Sequence, residues 1–369
     1  MKTAKRIIIS GGGTGGHIFP AVSIARALKR IAPDTEILFV GAEGRMEMEK
    51  VPAAGFKIIG LDIQGFNRKS ILKNLILPFK LIKSLMKAYR ILRDFKPHVA
   101  VGVGGYASGP LLYAAGSRNI PYIIQEQNSY AGITNKKLGR NASKICVAFD
   151  GMNKFFPVEK ILLTGNPIRK ESVDIKGKRE EALKFFDLSE NKKTMLIVGG
   201  SLGSLTLNRS VFGALDKIQQ NGIQVIWQCG SYYYDSFRDK LSHDKDSYIK
   251  LFSFLQRMDL AYAAADVIIS RAGAGTISEL CVLGKPVILV PSPNVAEDHQ
   301  TVNAKSLEKE GAALVITDEK AQEDLMNAAI ELLRNEIKCN ELSSNIKKLA
   351  ILDADEVIAK EVLKLANTN

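Results

Sequence analysis

One local pattern constrains this chain more than any other, because it occurs twice: a short β-branched run, a glycine-rich turn, then a helix-periodic stretch. Arg6 to Ser10 leads into Gly11-Gly12-Gly13-Thr14-Gly15-Gly16-His17 and a helical pattern from Pro20 to Ile31, with Glu36 to Val40 as the next strand. Near the middle, Thr194 to Val198 leads into Gly199-Gly200-Ser201-Leu202-Gly203-Ser204 and a helical run from Leu205 onward. Strand, turn and helix in that order make the βαβ unit of a parallel sheet covered by helices. Two such openings predict an α/β protein of two Rossmann-like domains rather than one large sheet. A length of 369 residues, 46% of them hydrophobic, lets each domain bury its own core. The breaker cluster Thr164-Gly165-Asn166-Pro167 marks the boundary, so the domains are expected at 1–163 and from 164 onward.

The apolar runs, such as Leu111 to Ala115 and Val287 to Val290, are far short of the ~20 residues of a spanning helix. Met1 to Ile9 runs straight into a strand, so neither a span nor a signal peptide is expected. Cys146, Cys229, Cys281 and Cys339 show no CxxC pairing and read as buried, reduced thiols of a cytosolic protein. Charge is unevenly placed. Residues 1–163 carry 25 Lys and Arg against 10 Asp and Glu, a net +15, whereas residues 164–369 carry 26 against 29, a net −3. The first half is therefore expected to meet an anionic surface. Between Phe66 and Lys96 there are nine basic residues and one acidic one, interleaved at helical spacing with Leu75, Phe79, Ile82, Leu85 and Tyr89. With Lys73, Lys80, Lys83, Lys87, Arg90 and Arg93 alongside, this suits a helix lying on anionic lipid and begun or kinked at Pro78. The plainer alternative is a core-facing stripe with solvated lysines. Nucleic acid is disfavoured, because the cations are interleaved with aliphatic residues more than stacking aromatics.

The first glycine turn opens a helix, where close backbone approach and amide groups favour an anion. A nicotinamide cofactor is not favoured, since Asp34 and Glu36 precede or begin the second strand instead of ending it. More chemistry lies in Asp266 to Leu280, where a strand ends at Ser270, Arg271 to Gly273 turn, and a helix begins near Gly275 with hydroxyls in its first turn. That is a diphosphate cradle. Glu279, one turn on, could hold the two hydroxyls of a ribose or merely favour the helix end. The polar cluster Pro291 to Gln300 follows a buried strand, at the rim where open α/β sheets bind ligands.

Gly13-Thr14-Gly15-Gly16-His17, Gly104-Gly105-Tyr106-Ala107-Ser108-Gly109-Pro110, Glu126-Gln127-Asn128, Gly165-Asn166-Pro167-Ile168-Arg169, Gly199-Gly200-Ser201 and Arg271-x-Gly273-Ala274-x-Thr276-x-Ser278-Glu279 together closely resemble the MurG family. Its members transfer N-acetylglucosamine from UDP-N-acetylglucosamine to the lipid-linked muramyl-pentapeptide of peptidoglycan synthesis. The resemblance implies the GT-B architecture, two Rossmann-like domains facing a cleft, with the acceptor and membrane on the first and UDP-sugar mainly on the second. It also implies that a last segment, 351–369, carries a helix that packs back on the first domain. Thr14, Gly15, Gly16 and His17 would face the diphosphate and the acceptor, with Gly104, Gly105 and Tyr106 on the acceptor side. Asn128, Arg169 and Ser201 would bind the donor, Leu255 the uracil, Ala274, Gly275 and Thr276 the phosphates, Glu279 the ribose and Gln300 the sugar. Membership would put the chain at the cytoplasmic face of the inner membrane, as a peripheral protein in reach of cell-wall or division proteins. A related GT-B transferase acting on diacylglycerol is the alternative.

Transfer to the C4 hydroxyl of the muramyl sugar with inversion needs a base, for which His17 is the first candidate, while Glu126 is either the alternative base or the residue that orients the acceptor. His17 could instead cap its helix or donate to a diphosphate. The helix start at Gly275 to Thr276, with Arg271 or Arg169, can stabilise the departing UDP, so no metal or other cofactor is expected. The pairs Asp244-x-Asp246 and Asp353-x-Asp355 read as solvated surface carboxylates.

Overall fold

The computed structural model describes residues 4–65, 76–200, 202–241, 248–295 and 298–368. Ser201, Leu75, Lys73, Asp244 and Asp246 lie outside them. Among the described residues the β-branched runs form thirteen strands in two sheets. The first sheet takes β1 (Arg6–Ser10), β2 (Glu36–Ala42), β3 (Lys57–Leu61), β4 (Val99–Gly102), β5 (Tyr122–Glu126), β6 (Lys144–Val147) and β7 (Ile161–Leu163), in the spatial order 3-2-1-4-5-6-7. The second takes β8 (Thr194–Val198), β9 (Gln224–Gln228), β10 (Ile249–Phe252), β11 (Val267–Ser270), β12 (Val287–Leu289) and β13 (Leu314–Val315), in the order 10-9-8-11-12-13. All pairings are parallel. Counted within each sheet, the first six strands share the order 3-2-1-4-5-6, which is the doubly wound Rossmann arrangement.

The chain divides into a unit of residues 1–168 with 351–369 and a unit of residues 169–350. In the first, alternate strand residues face opposite ways. Ile8, Val40, Ala100 and Ile124 pack with Ala88, Ile91, Leu92 and Leu111 on one face, while Ile7, Ile9, Phe39 and Val101 pack with Ile24 and Leu28 on the other. The unit runs past Leu163 to Ile168 because Thr164 and Asn166 are almost fully buried in it.

The last helix, Ala354–Asn367, packs against the first, Gly15–Ile31. It buries Ile358, Ala359, Val362 and Ala366 there. Arg30 pairs with Asp355 at 3.3 Å and with Glu356 at 2.9 Å. Asp355 is therefore no solvated carboxylate: the amphipathic period of the helix turns it inward, 6% exposed, onto Arg30. In the second unit Trp227 is fully buried, with its Nε1 donating to Asn208 Oδ1 at 2.9 Å. The cysteines are all free thiols, and Cys339 is only half-buried, against the edge of the second core.

Candidate functional site

At the carboxyl ends of β1 and β4, where the strand order reverses, two glycine turns fit against each other. Gly104 and Gly105 have φ of 98° and 88°, a backbone region that suits glycine. A Cβ on Gly105 would fall 2.3 Å from the Gly12 carbonyl oxygen, and one on Gly104 2.3 Å from His17 Cδ2. His17, in the first turn of its helix, is thus held with its ring edge over Gly104, and its Nδ1 lies 3.2 Å from Thr14 Oγ1. Tyr106, half of it exposed, lies over Gly65, where a Cβ would stand 2.2 Å from the ring.

The residue that anchors the first turn carries no motif. Glu47, 1% exposed at the start of the helix Glu47–Ala53, accepts hydrogen bonds from Gly13 N at 2.9 Å and Ala42 N at 3.0 Å. Gly12 and Gly41 make room for it, since a Cβ on either would stand 2.1 Å from its Oε1 or 2.5 Å from its Cγ. With the Gly13 amide taken by a carboxylate, what this turn can offer an anion is Thr14 to His17 at the helix start. The same carboxylate weighs against a dinucleotide, whose pyrophosphate must approach those glycines closely.

Under these turns lies a buried amide network. Gln125 Nε2 donates to Asn166 Oδ1 at 2.9 Å, Asn166 Nδ2 to the Gln127 carbonyl at 3.1 Å, and Gln127 Nε2 to the Val103 carbonyl at 2.6 Å and to Gln125 Oε1. It ties the loops after β4, β5 and β7 together. Glu126 is 2% exposed, and its two oxygens accept from Asn128 N at 3.1 Å, Gly132 N at 3.1 Å and Asn135 Nδ2 at 2.8 Å. Burial pushes its carboxyl above the usual range, and those donors pull it back. The carboxylate thus ties the Asn128 to Gly132 loop to Asn135.

In the second unit the helix Ala274–Leu283 begins at Gly273 with no side-chain cap, and a Cβ on Gly275 would meet nothing within 4 Å, so its first turn borders open space. Beside it, Gly203 and Gly230 pack backbone on backbone: a Cβ on Gly230 would lie 2.4 Å from Gly203 Cα. Gln228, the last residue of β9, donates to the Gly200 carbonyl at 3.1 Å and accepts from Leu255 N at 2.9 Å. Arg271 donates to the Val290 and Pro291 carbonyls at 3.0 and 3.1 Å, to Asp318 Oδ1 at 2.6 Å and to Ser204 Oγ at 2.6 Å. Its guanidinium is a clasp between loops. Arg169 Nη2 lies 3.5 Å from Glu279 Oε1, and the Tyr262 hydroxyl donates to Glu279 Oε2 at 3.1 Å. Burial raises the Glu279 carboxyl, and Arg169 and Tyr262 act against it. Gln300 Oε1 accepts from Ser292 N at 2.9 Å, folding the loop after β12.

The basic segment forms the helix Leu77–Phe95 with Pro78 in its first turn, where a proline starts a helix rather than kinks it. The apolar stripe divides. Leu85 and Tyr89 pack on the core beside Ala88 and Leu92, whereas Phe79 and Ile82, with Met86, are 75%, 57% and 61% exposed. Lys80 and Lys83 both lie against Asp62, and Lys87 against Glu43. No helix of the described residues is long and apolar enough to cross a membrane.

Glu47, Gln228 and Tyr262 belong to these clusters without standing in any motif. Gln228 could have been found as a polar residue ending a buried strand, while Glu47 and Tyr262 read as ordinary helix residues. The model of the glycosyltransferase family 28 N-terminal domain matches residues 7–147, and that of the C-terminal domain residues 194–359. A Phocaeicola vulgatus protein named UDP-N-acetylglucosamine--N-acetylmuramyl-(pentapeptide) pyrophosphoryl-undecaprenol N-acetylglucosamine transferase is 57% identical over 100% of this chain and 98% of its own. One of the same name from Parabacteroides distasonis is 56% identical over 98% of both chains. The crystal structure of Acinetobacter baumannii MurG superposes with a TM-score of 0.78 at 29% identity, over 98% of this chain and 99% of that one. A UDP-N-acetylglucosamine 2-epimerase, at 15% identity and a TM-score of 0.66 over 100% of this chain and 98% of its own, shares the fold alone. Both domain models match in order and the relatives span nearly the whole chain, so this protein belongs to the MurG family of GT-B glycosyltransferases.

Proposed function

We propose that the chain transfers N-acetylglucosamine from UDP-N-acetylglucosamine, with inversion, to the C4 hydroxyl of the muramyl sugar of undecaprenyl-diphospho-muramyl-pentapeptide, releasing UDP. One observation carries the reading: relatives named for this transfer are 56% and 57% identical over at least 98% of both chains. The acceptor oxygen bonds to the anomeric carbon as the bond to the donor phosphate breaks, and UDP leaves with the electron pair. The hydroxyl proton passes to His17 Nε2. A proton on Nδ1, donated to Thr14 Oγ1, keeps that nitrogen basic. Of the two roles open to Glu126, its burial supports the one in which it organises the acceptor loop with Asn128. Gly104, Gly105 and Tyr106 line the acceptor side, and Thr14, Gly15 and Gly16 face the diphosphates.

In the second unit Ala274, Gly275 and Thr276 at the open helix start stabilise the charge on the departing UDP, together with Arg169. Glu279 holds the ribose, the Leu255 carbonyl meets the uracil because the Leu255 amide is engaged by Gln228, and Gln300 offers its amide nitrogen to the sugar. Ser201 is assigned to the donor on the motif alone. The Phe79, Ile82 and Met86 stripe, with Lys80 and Lys83 beside it, docks the first unit on anionic lipid at the cytoplasmic face of the membrane, where the acceptor resides.

The test is incubation of the full chain with radiolabelled UDP-N-acetylglucosamine and a short-chain lipid-linked muramyl-pentapeptide. Label should move into the organic extract only with that acceptor. Label that stays aqueous, or moves to diacylglycerol instead, defeats the proposal. A His17→Ala chain with essentially unchanged turnover would remove His17 as the base.

A further inference from the structure

We infer that Tyr262 is a positioning residue for the nucleotide: its buried hydroxyl fixes the plane of the Glu279 carboxylate so that the remaining lone pairs face the two ribose hydroxyls. The assignment rests on Glu279 holding the ribose. Tyr262 lies on the helix Met258–Ala264 and is 2% exposed, and its hydroxyl donates to Glu279 Oε2 at 3.1 Å. Glu279 lies on a different helix, Ala274–Leu283, and is 9% exposed.

A glutamate's terminal torsion is broad and roughly two-fold, so packing of its methylenes alone leaves the carboxylate plane loosely set. Among the described residues two partners touch this one, and they differ in kind. Arg169 stands at 3.5 Å from Oε1, beyond good hydrogen-bond length, on a side chain 39% exposed. The phenol, by contrast, is buried and at full bonding distance. A carboxylate has about four acceptor positions, and the phenol occupies one of them on Oε2, which leaves enough for a vicinal diol. Neutral at working pH, since burial and the neighbouring carboxylate hold its proton on, Tyr262 donates without adding charge next to the diphosphate. A phenol that merely filled space between the two helices would have no bearing on how the ribose is read.

The test is a cycle on the full chain, with donor KM measured for UDP-N-acetylglucosamine and for its 2′-deoxyuridine counterpart. The proteins are wild type, Tyr262→Phe, Glu279→Gln and the double variant. Wild type should show a KM for the deoxy donor at least about tenfold higher, the worth of a hydrogen bond to a charged acceptor. Tyr262→Phe should reduce that ratio several-fold, and in the Glu279→Gln background the same change should leave the ratio where it stands. A Tyr262→Phe ratio equal to wild type overturns the assignment. So does a further fall in the double variant, which would mean that the phenol acts on the nucleotide by itself. This second comparison holds even if Tyr262→Phe alone is too unstable to assay. Failure of the underlying ribose reading looks different: wild type itself would not discriminate between the two donors.

Discussion

Glu47 shows how one side chain can set the geometry of a site without touching the reaction. Its two oxygens carry the Gly13 and Ala42 amides, and two glycines lack side chains to admit it. Removing one acceptor from a buried amide costs about 1–3 kcal/mol. Glu47→Ala, which strips both, should therefore lower the melting temperature of the first unit and cut turnover at least about tenfold. Glu47→Gln keeps one acceptor and should fall in between. Turnover in Glu47→Ala equal to wild type would show that the turn keeps its shape without the carboxylate. Lys285 is the corresponding case in the second unit. It donates to the Ala263 and Ala265 carbonyls at 3.2 and 2.5 Å, and burial pushes its ammonium from 10.5 down to about 8. Between those values the unfolded chain holds a proton that the folded chain has lost, so the contribution of Lys285 to stability rises as pH climbs from about 8 to about 10.5 and is at its least below that window. Its full span is roughly 3 kcal/mol. The chain has a single tryptophan, Trp227, in the core of the second unit. Urea unfolding followed by its fluorescence should show wild type gaining on Lys285→Met between pH 7 and pH 10, and a constant difference would refute the buried titration.

Among the elements, the helix Leu77–Phe95 separates what the sequence makes legible from what it does not. Its existence, its basic character and its start at Pro78 follow from spacing and composition. Which apolar residues face inward does not, because periodicity shows a stripe without saying where the sheet lies. Here Ser84, Ala88, Ile91 and Leu92 are buried, so Leu85 and Tyr89 go to the core and Phe79, Ile82 and Met86 are left outside. The triple change of those three to serine removes exposed apolar area and no core packing. It should leave the melting temperature within about 1 °C while abolishing flotation with vesicles containing anionic lipid. Flotation that survived would place docking elsewhere on the first unit. The glycine turns were readable for the opposite reason. A turn that must admit another backbone, as Gly105 admits Gly12, leaves glycine as its trace, whereas a buried acceptor such as Glu47, or the clasp that Arg271 forms with Asp318, leaves no spacing signature at all.

At the scale of the whole molecule, the doubled strand order was present in the sequence as a doubled opening, since each sheet begins with the strand that ends in a glycine turn. That the first unit closes only with residues 351–369 was legible through the family resemblance alone. The reason is that Ile358, Ala359, Val362 and Ala366 make an ordinary amphipathic period whose partner face, Ile24 and Leu28, lies more than three hundred residues away. Fixing that contact brings the two ends of the chain together, with Lys5 Nζ donating to the Ala366 carbonyl at 2.7 Å. Burying an isoleucine and a valine contributes about 1.5–3 kcal/mol each, a large share of the stability of a single domain. A chain ending at Ala350 should therefore lose hydrogen-exchange protection throughout β1 and the helix Gly15–Ile31, while the urea transition reported by Trp227 stays where it was. Because His17 and the Glu47-anchored turn are carried by β1 and that same helix, transfer should be lost with the protection, although no residue of the deleted segment belongs to the site. Equal protection in the truncated and full chains would show that the first unit holds its turn without its last helix.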